Sequence, residues 1–308
     1  MKISHFILLG LHPARDTMAR YIRNQLFAPL HPSIGLQPCN RCSQPLRVAS
    51  DGLAKEIKKY VDFSISSYCK ADKISNVSLV NYSIDTSYTG NNVSIFYDQY
   101  NQEVIVGFPG ADVYRKIVQY KVADKVSFDG VKGSFVDHKL YKLALKLFPL
   151  VKEIMAGISK KNQVETIVLV GHSTGGAVAT LIANLFVKRL KLLPSWLRVI
   201  TYNQPRVGNV KFAEDYHALK ISTTRVVDPS DEMVHYPPEK DGWSHTGEEV
   251  HFDPNNESFY FSNSSFHEGA DLDEFNEFLF YGYRHGLIGD RRVVYKRSWR
   301  NFRITIFC

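Results

Sequence analysis

The most constraining feature of this 308-residue sequence is a glycine-rich turn between an apolar run and a helical pattern. Residues 166–170 form a short continuous apolar run, of the kind that lies buried inside a parallel sheet. The segment Gly171-His-Ser-Thr-Gly-Gly follows at once, and the apolar residues of 174–190 recur at helical spacing. Glycines flanking Ser173 suit a sharp turn where backbones approach closely. The sequence therefore predicts a strand, a tight turn carrying Ser173, and a helix.

Strand and helix patterns alternate along most of the chain. Three strand patterns in succession, at 77–82, 93–97 and 103–108, predict an antiparallel part of a sheet. Later strand patterns lie at 166–170, 198–202 and 224–227, and helical patterns at 53–68, 138–159, 174–190, 210–220 and 272–280. Alternating elements imply right-handed crossovers. We therefore expect an α/β fold with a mostly parallel central sheet and helices on both faces.

Length and composition favour one large globular domain. An apolar share of 44% and a charged share of 22% argue against a disordered chain and against a protein with many membrane spans. Residues 1–50 contain five prolines and no sustained hydrophobic period, which is typical of a leader or propeptide-like segment. We therefore place the domain at residues 51–308.

The net charge of +7 is concentrated at the two ends of the chain. Residues 1–50 carry six Lys/Arg and one acidic residue, and residues 291–308 carry six Lys/Arg and no acidic residue. No nucleic-acid motif accompanies these charges, so a nucleic-acid partner is not expected. The tail at 291–308, in which aromatic residues alternate with basic ones, is compatible with contact to anionic lipid and equally with a solvated terminal strand.

Ser173 is the candidate nucleophile. The pattern Gly171-x-Ser-x-Gly175 between a strand and a helix is typical of a serine that needs an exposed oxygen on a strained turn. Such a serine requires a histidine base and a carboxylate to orient that base, in the chain order Ser, Asp, His, and several residues fit. The backbone N–H of Thr174 is the expected oxyanion donor, and His172 is expected to be a packing residue. The alternative is a simple glycine-rich turn capped by a serine.

At four separate motifs the sequence resembles the fungal class 3 lipase family. They are GHSTGGA at 171–177, NQPRVGN at 203–209, DEMVHYPP at 231–238 and HTGEE at 245–249. The resemblance extends over roughly residues 53–290. It implies an α/β-hydrolase fold and a serine carboxylic ester hydrolase, most simply a lipase that hydrolyses acylglycerol esters through an acyl-enzyme on Ser173.

The resemblance selects the remaining members of a catalytic triad. Asp231 keeps the family's spacing to the following pair of prolines, with Asp228 as the rival three residues earlier. His285, after the helical pattern at 272–280, matches the family's base near the C-terminus. His245 matches a family position that is not the base, and His267 has no motif around it. We therefore predict a triad of Ser173, Asp231 and His285.

The second oxyanion donor is predicted at Ala111. The family's Arg-Gly-Ser/Thr segment corresponds here to Pro109-Gly-Ala, so Ala111 can contribute only a backbone N–H. The family's hydroxyl is missing, and loss of such a donor can cost on the order of a hundredfold in rate. Residues 112–121 form a short amphipathic pattern, which in the resembled lipases is a mobile lid; a fixed core helix is the alternative.

The four cysteines permit three disulfide pairings. The resemblance pairs Cys69 with Cys308, which leaves Cys39 with Cys42. A lone Cys-x-x-Cys without a second pair does not indicate a metal or redox site, and we expect neither a metal nor an organic cofactor.

Secretion is the expected route. An apolar run at 3–11 follows Lys2 and resembles the core of a signal peptide, although no small-x-small cleavage site follows. Five Asn-x-Ser/Thr sequons agree with this route, at Asn76, Asn81, Asn92, Asn256 and Asn263.

Two other functions remain compatible with the sequence. One is an esterase for soluble substrates such as feruloyl esters. The other is a catalytically weak, lipid-binding homologue, which the missing hydroxyl at Ala111 and the basic tail would suit. In each case the partner is a lipid or small ester, a lipid–water interface is expected for the lipase, and no oligomer is implied.

Overall fold

The structure of the protein is a computed structural model. It describes residues 47–68, 71–86, 91–110, 124–227, 231–253 and 258–261, and the backbone of short strands at 287–288, 291–292, 294–297 and 304–307. Residues 47–50 belong to the described domain. Whether residues 1–50 are a leader stays a prediction.

The helices in these ranges are α1 (Asp51–Ser66), α2 (His138–Lys161), α3 (Thr174–Leu190) and α4 (Val210–Ala218). Polar side chains begin three of them: Ser50, Asp137 and Asn209 each accept a backbone N–H of the first turn. The helices predicted at 53–68, 138–159, 174–190 and 210–220 are thus confirmed within a few residues. No helix of the described residues combines the length and hydropathy needed to cross a membrane.

The strands form one large sheet and one small sheet. In chain order they are β1 (Arg47–Val48), β2 (Lys73–Ile74), β3 (Val77–Thr86), β4 (Asn91–Asp98), β5 (Glu103–Phe108), β6 (Lys125–Ser127), β7 (Phe135–Asp137), β8 (Thr166–His172), β9 (Leu197–Tyr202), β10 (Gly208–Asn209), β11 (Ser222–Val227), β12 (Trp243–Ser244), β13 (Glu248–Asp253) and β14 (Ser258–Phe261). All six strands predicted from the sequence are among them. The pairs 287–288 with 291–292 and 294–297 with 304–307 are antiparallel.

The large sheet has the strand order β1-β14-β13-β11-β9-β8-β5-β4-β3-β2. Its centre, β5 to β13, is parallel, whereas β2 to β5 pair antiparallel, as the three successive strand patterns predicted. The sequence did not predict β13 and β14, which extend the sheet beyond β11. The small sheet has the order β12-β10-β7-β6.

Both faces of the large sheet are covered by helices. In β8, Ile167 and Leu169 belong to the apolar cluster that includes α2 and α3, while Val168 and Val170 belong to the cluster that includes α1. Successive side chains of a strand point to opposite faces, so a continuous apolar run is the pattern that a strand covered on both sides requires. The fold is therefore α/β with helices on both faces.

The parallel strands bring separate loops to one edge of the sheet. Phe108 at the end of β5 pairs with Gly171 in β8, and Gly171 pairs with Thr201 in β9. Ser173 follows β8 directly, Gly110 follows β5, and Asp231 lies four residues after the end of β11. Because the carboxyl ends of parallel strands share one edge, these residues lie at the edge where ligands bind in open α/β sheets.

Candidate active site

Ser173 has a strained backbone at the junction of β8 and α3. Its φ is 57° and its ψ is −133°, a region that side chains rarely adopt. The Ser173 N–H donates to the carbonyl oxygen of Tyr202 at 2.9 Å, and its own carbonyl oxygen accepts from Gly176 at 3.0 Å. These bonds to β9 and to α3 hold the turn in its unfavourable conformation.

Glycine is required on both sides of Ser173 because backbones meet there. A Cβ on Gly171 would lie 2.5 Å from the backbone of Gly175, and a Cβ on Gly175 would lie 2.2 Å from the carbonyl oxygen of Phe108. A Cβ on Gly176 would lie 2.9 Å from Cβ of Thr201. The spacing that predicted a tight turn thus reflects three close approaches of α3 to the sheet.

The loop after β5 touches the serine. A Cβ on Gly110 would lie 3.0 Å from Cβ of Ser173 and 2.9 Å from the carbonyl oxygen of His172. The Gly110 N–H donates to the hydroxyl of Tyr68 at 2.8 Å, and the same hydroxyl lies 2.7 Å from Nδ1 of His172. His172 is fully buried, as expected of a packing residue, but it also takes part in a polar contact that the sequence did not reveal. Ala111, the next residue, lies outside the described residues.

Asp231 is buried at the start of a short 3-10 turn, Glu232–His235. Its Oδ1 accepts the Met233 N–H at 2.9 Å, and its carbonyl oxygen accepts the Val234 N–H at 3.2 Å. These bonds fix the carboxylate with respect to its own turn. Its rival, Asp228, lies outside the described residues.

Two residues from elsewhere in the chain hold the turn that carries Asp231. Four successive carbonyl oxygens accept hydrogen bonds from them, those of Val234, His235, Tyr236 and Pro237. Arg206 donates to the last three, through Nη1 and its backbone N–H, and His245 Nε2 donates to the first at 2.7 Å. The motifs NQPRVGN and HTGEE therefore meet at the turn formed by the motif DEMVHYPP.

The surroundings of His245 keep it neutral. Burial lowers its pKa well below the ordinary value of 6.5, and the positive charges of Arg225 and Arg206 lower that pKa further. A carbonyl oxygen can only accept a hydrogen bond, so Nε2 carries the proton of this neutral ring. His245 thus acts as a fixed donor, which agrees with its interpretation as structural.

A buried ion pair lies beside this turn. Arg225 on β11, 1% exposed, donates through Nη2 to Glu249 on β13, and the other oxygen of Glu249 is 2.6 Å from Nε2 of His251. Arg206 donates to Glu239 at 2.8 Å. Burial lowers the pKa of both guanidinium groups below its usual range, while the neighbouring glutamates act in the opposite direction and raise it. Each buried cation has a carboxylate partner, as burial of a charge requires.

Several predicted residues lie outside the described residues. They are Ala111, His285, the rival His267, the segment 112–121, and the cysteines Cys39, Cys42, Cys69 and Cys308. Their roles and pairings stay predictions. Among the described residues no group of three or more His, Cys, Asp or Glu could hold a metal ion.

The sheet, its helices on both faces and the tight turn that carries the strained Ser173 between β8 and α3 define an α/β-hydrolase fold. The family model "Lipase (class 3)" matches residues 106–241. Over these residues, somewhat less than half of the chain, the protein is similar to the class 3 lipase family.

Individual lipases are similar to this chain in sequence and in structure. The lipase of Rhizopus niveus is 25% identical over 218 residues, covering 65% of this chain and 55% of that protein. The structure of Rhizomucor miehei triacylglyceride lipase has a TM-score of 0.66 at 23% identity, covering 80% of this chain and 99% of that chain. The same values apply to a triacylglycerol lipase whose catalytic centre is formed by a serine protease triad. The chain spans 55–60% of the length of its curated Rhizopus and Rhizomucor relatives.

Proposed function

We propose that the protein is a serine carboxylic ester hydrolase of the lipase type, which cleaves acylglycerol esters through an acyl-enzyme on Ser173. The observation that carries this proposal is the backbone of Ser173, with its φ of 57° at the end of β8. A fold retains such strain where it contributes to function, and a strained elbow presents the serine oxygen to a substrate.

Ser173, His285 and Asp231 share the chemistry in this proposal. His285 removes the proton of Ser173, whose oxygen attacks the ester carbonyl carbon; the protonated His285 then gives its proton to the leaving alcohol. In the second half-reaction His285 removes a proton from water, which attacks the acyl-enzyme; the protonated His285 then returns that proton to the Ser173 oxygen as the fatty acid is released. Asp231 orients the imidazole. The fixed turn around Asp231 supports this role, because an orienting carboxylate must not move.

The oxyanion is stabilised by the backbone N–H groups of Thr174 and Ala111. Thr174 begins α3, and the positive end of a helix dipole favours negative charge there. Ala111 follows Gly110, whose α-carbon packs against Ser173. Both donors belong to the backbone, so their effect depends on how well the two segments are held together.

Acylglycerol is the proposed substrate because the similar solved structure is named a triacylglyceride lipase. In this proposal the segment 112–121 is a lid that opens at a lipid–water interface, and the protein is secreted. A soluble-ester esterase and a weak lipid-binding homologue are the alternatives that the missing hydroxyl at Ala111 leaves open.

Replacing Ser173 with alanine tests the proposal. Ser173→Ala should abolish hydrolysis of p-nitrophenyl esters and labelling by a fluorophosphonate, because both require the serine oxygen. Ser159→Ala is the matched control, since it removes a buried hydroxyl that bonds only within α2. Equal turnover by wild type and Ser173→Ala would refute the enzyme, and a folded protein that no probe labels would favour the lipid-binding homologue.

A substrate series separates lipase from esterase. The rate on a triacylglycerol emulsion should rise above the solubility limit of the substrate if a lid opens at the interface. A rate that saturates below that limit, with turnover of feruloyl esters, would favour the soluble-ester esterase.

A further inference from the structure

One buried hydroxyl joins the segments that flank the proposed oxyanion site. The Tyr68 hydroxyl accepts the Gly110 N–H at 2.8 Å and lies 2.7 Å from Nδ1 of His172. The side chain of Tyr68 is 8% exposed and that of His172 is fully buried. Hydrogen bonds in such a buried position are stronger than in water and hold their partners in fixed positions.

The three partners come from distant parts of the chain. Tyr68 lies just after α1, Gly110 just after β5, and His172 ends β8. Gly110 precedes Ala111, and His172 precedes Ser173. The hydroxyl thus connects the residue before one proposed oxyanion donor with the residue before the nucleophile.

Gly110 is closely packed, with no space for a side chain. A Cβ added at Gly110 would lie 2.5 Å from the Tyr68 hydroxyl, 2.9 Å from the carbonyl oxygen of His172 and 3.0 Å from Cβ of Ser173. The hydroxyl therefore fills the space between the loop after β5 and the nucleophile turn, and it sets the distance between them.

We propose that Tyr68 is a positioning residue for the oxyanion site: its hydroxyl holds Gly110, the residue before the proposed donor Ala111, in a fixed position relative to the turn that carries Ser173 and Thr174. This inference rests on the proposed function. Oxyanion stabilisation depends on donors that are in place before charge develops. Since Ala111 has no side-chain donor, the position of its backbone decides how much it contributes.

Tyr68→Phe removes the hydroxyl and leaves the ring in place. We expect kcat on p-nitrophenyl esters to fall roughly ten- to a hundredfold, the scale of a small misplacement of an oxyanion donor, with KM changed less than about twofold. Binding of an alkyl boronic acid, which forms a tetrahedral adduct with an active serine, should weaken by a factor similar to that in kcat.

Tyr216→Phe is the matched control. It removes the hydroxyl of another buried tyrosine, on α4, which lies 2.7 Å from the hydroxyl of Thr223 on β11. A purely structural role for Tyr68 would lower the melting temperature of both variants alike and leave kcat and boronic acid binding unchanged in both. That outcome would overturn the proposal.

His172→Leu provides a second variant that removes the other partner of the hydroxyl. The double variant of Tyr68→Phe and His172→Leu should lose no more activity than the worse single variant, because both changes break one connection. Losses that multiply would contradict the proposed connection. The Ser173→Ala variant separates this inference from the proposed function: an active Ser173→Ala protein refutes the enzyme itself, whereas an inactive one beside a fully active Tyr68→Phe protein refutes only the role of Tyr68.

Discussion

Gly175→Ala should damage catalysis far more than its single added methyl group suggests. The new Cβ would lie 2.2 Å from the carbonyl oxygen of Phe108, and real Cβ atoms essentially never approach closer than 3.0 Å. Either α3 or the end of β5 must therefore move by about 0.8 Å, and a misplacement of about 1 Å can cost roughly a hundredfold in rate. The displaced parts carry Thr174 and the loop before Ala111.

We expect kcat of Gly175→Ala on p-nitrophenyl esters to fall about a hundredfold or more. Forcing an extra carbon into a packed site also costs about 1–3 kcal/mol, which urea unfolding would measure. Gly157→Ala is the matched control, because a Cβ on Gly157 in α2 would meet nothing within 4 Å. That variant should keep its activity and gain about 0.5–1 kcal/mol from higher helix propensity.

A comparison of the two alanine variants tests whether the close approach of α3 to β5 determines the catalytic geometry. If Gly175→Ala folds and retains wild-type kcat, then the close approach of α3 to β5 does not set the catalytic geometry, and the reasoning fails. Loss of activity in Gly157→Ala would equally show that the assay responds to any glycine replacement.

Two further predictions concern the turn that carries Asp231. Asp231→Asn should lower kcat on p-nitrophenyl esters roughly a thousand- to ten-thousandfold, because the histidine base is then misoriented. Asp228→Asn should stay active. If instead Asp228→Asn loses activity and Asp231→Asn keeps it, Asp228 is the carboxylate that orients the base. His245 is neutral when folded, because burial and then Arg225 and Arg206 lower its pKa, but it binds a proton in the unfolded chain below about pH 6.5. Its contribution to stability is therefore present above pH 6.5 and is lost as the pH falls below that value, by about 1 kcal/mol between pH 6.5 and 5.5 and by up to about 1.4 kcal/mol per pH unit at lower pH. When the free energy of unfolding is measured in urea at pH 6.5 and 5.5, it should fall less between these values for His245→Gln than for the wild type. An equal fall in the two proteins would contradict the lowered pKa of His245.

The elbow was predictable because its determinants are local in sequence. A buried strand, a turn and a helix follow one another between residues 166 and 190, and glycines stand where backbones meet. The same locality explains why the helices predicted at 53–68, 138–159 and 210–220 and the central strands were found from their periodicity. The helix predicted at 272–280 lies outside the described residues.

The sheet beyond β11 was not predictable from the same patterns. Glu248, Glu249 and His251 give β13 the appearance of a polar loop. Burial of the Glu249 and His251 side chains depends on a partner: the parallel register places Arg225 opposite Glu249, and the two opposite charges then compensate each other. Periodicity records burial of apolar residues and carries no information about such pairs.

The contacts of Tyr68 and Arg206 likewise could not be predicted from the sequence. The Tyr68 hydroxyl and His172 are 104 positions apart, and Arg206 reaches Pro237 across 31 positions. The motif NQPRVGN was recognised in the sequence, but no role was predicted for Arg206 within it, because its hydrogen bonds to the carbonyl oxygens of a distant turn depend on the fold. The roles of His285 and Ala111 stay predictions.

The pairing of β1 with β14 implies an order of events during synthesis. Arg47 bonds to Glu248, 201 positions later, and pairs with Phe261. At ribosomal rates of about 5–20 residues per second, roughly ten to forty seconds pass between the appearance of the two partners. The tight turn at Ser173 and the parallel strands β5 to β11 emerge before then, so the nascent chain carries an open sheet edge beside β11 until β13 and β14 emerge. A chaperone that covers this edge during translation would therefore act before the large sheet is completed.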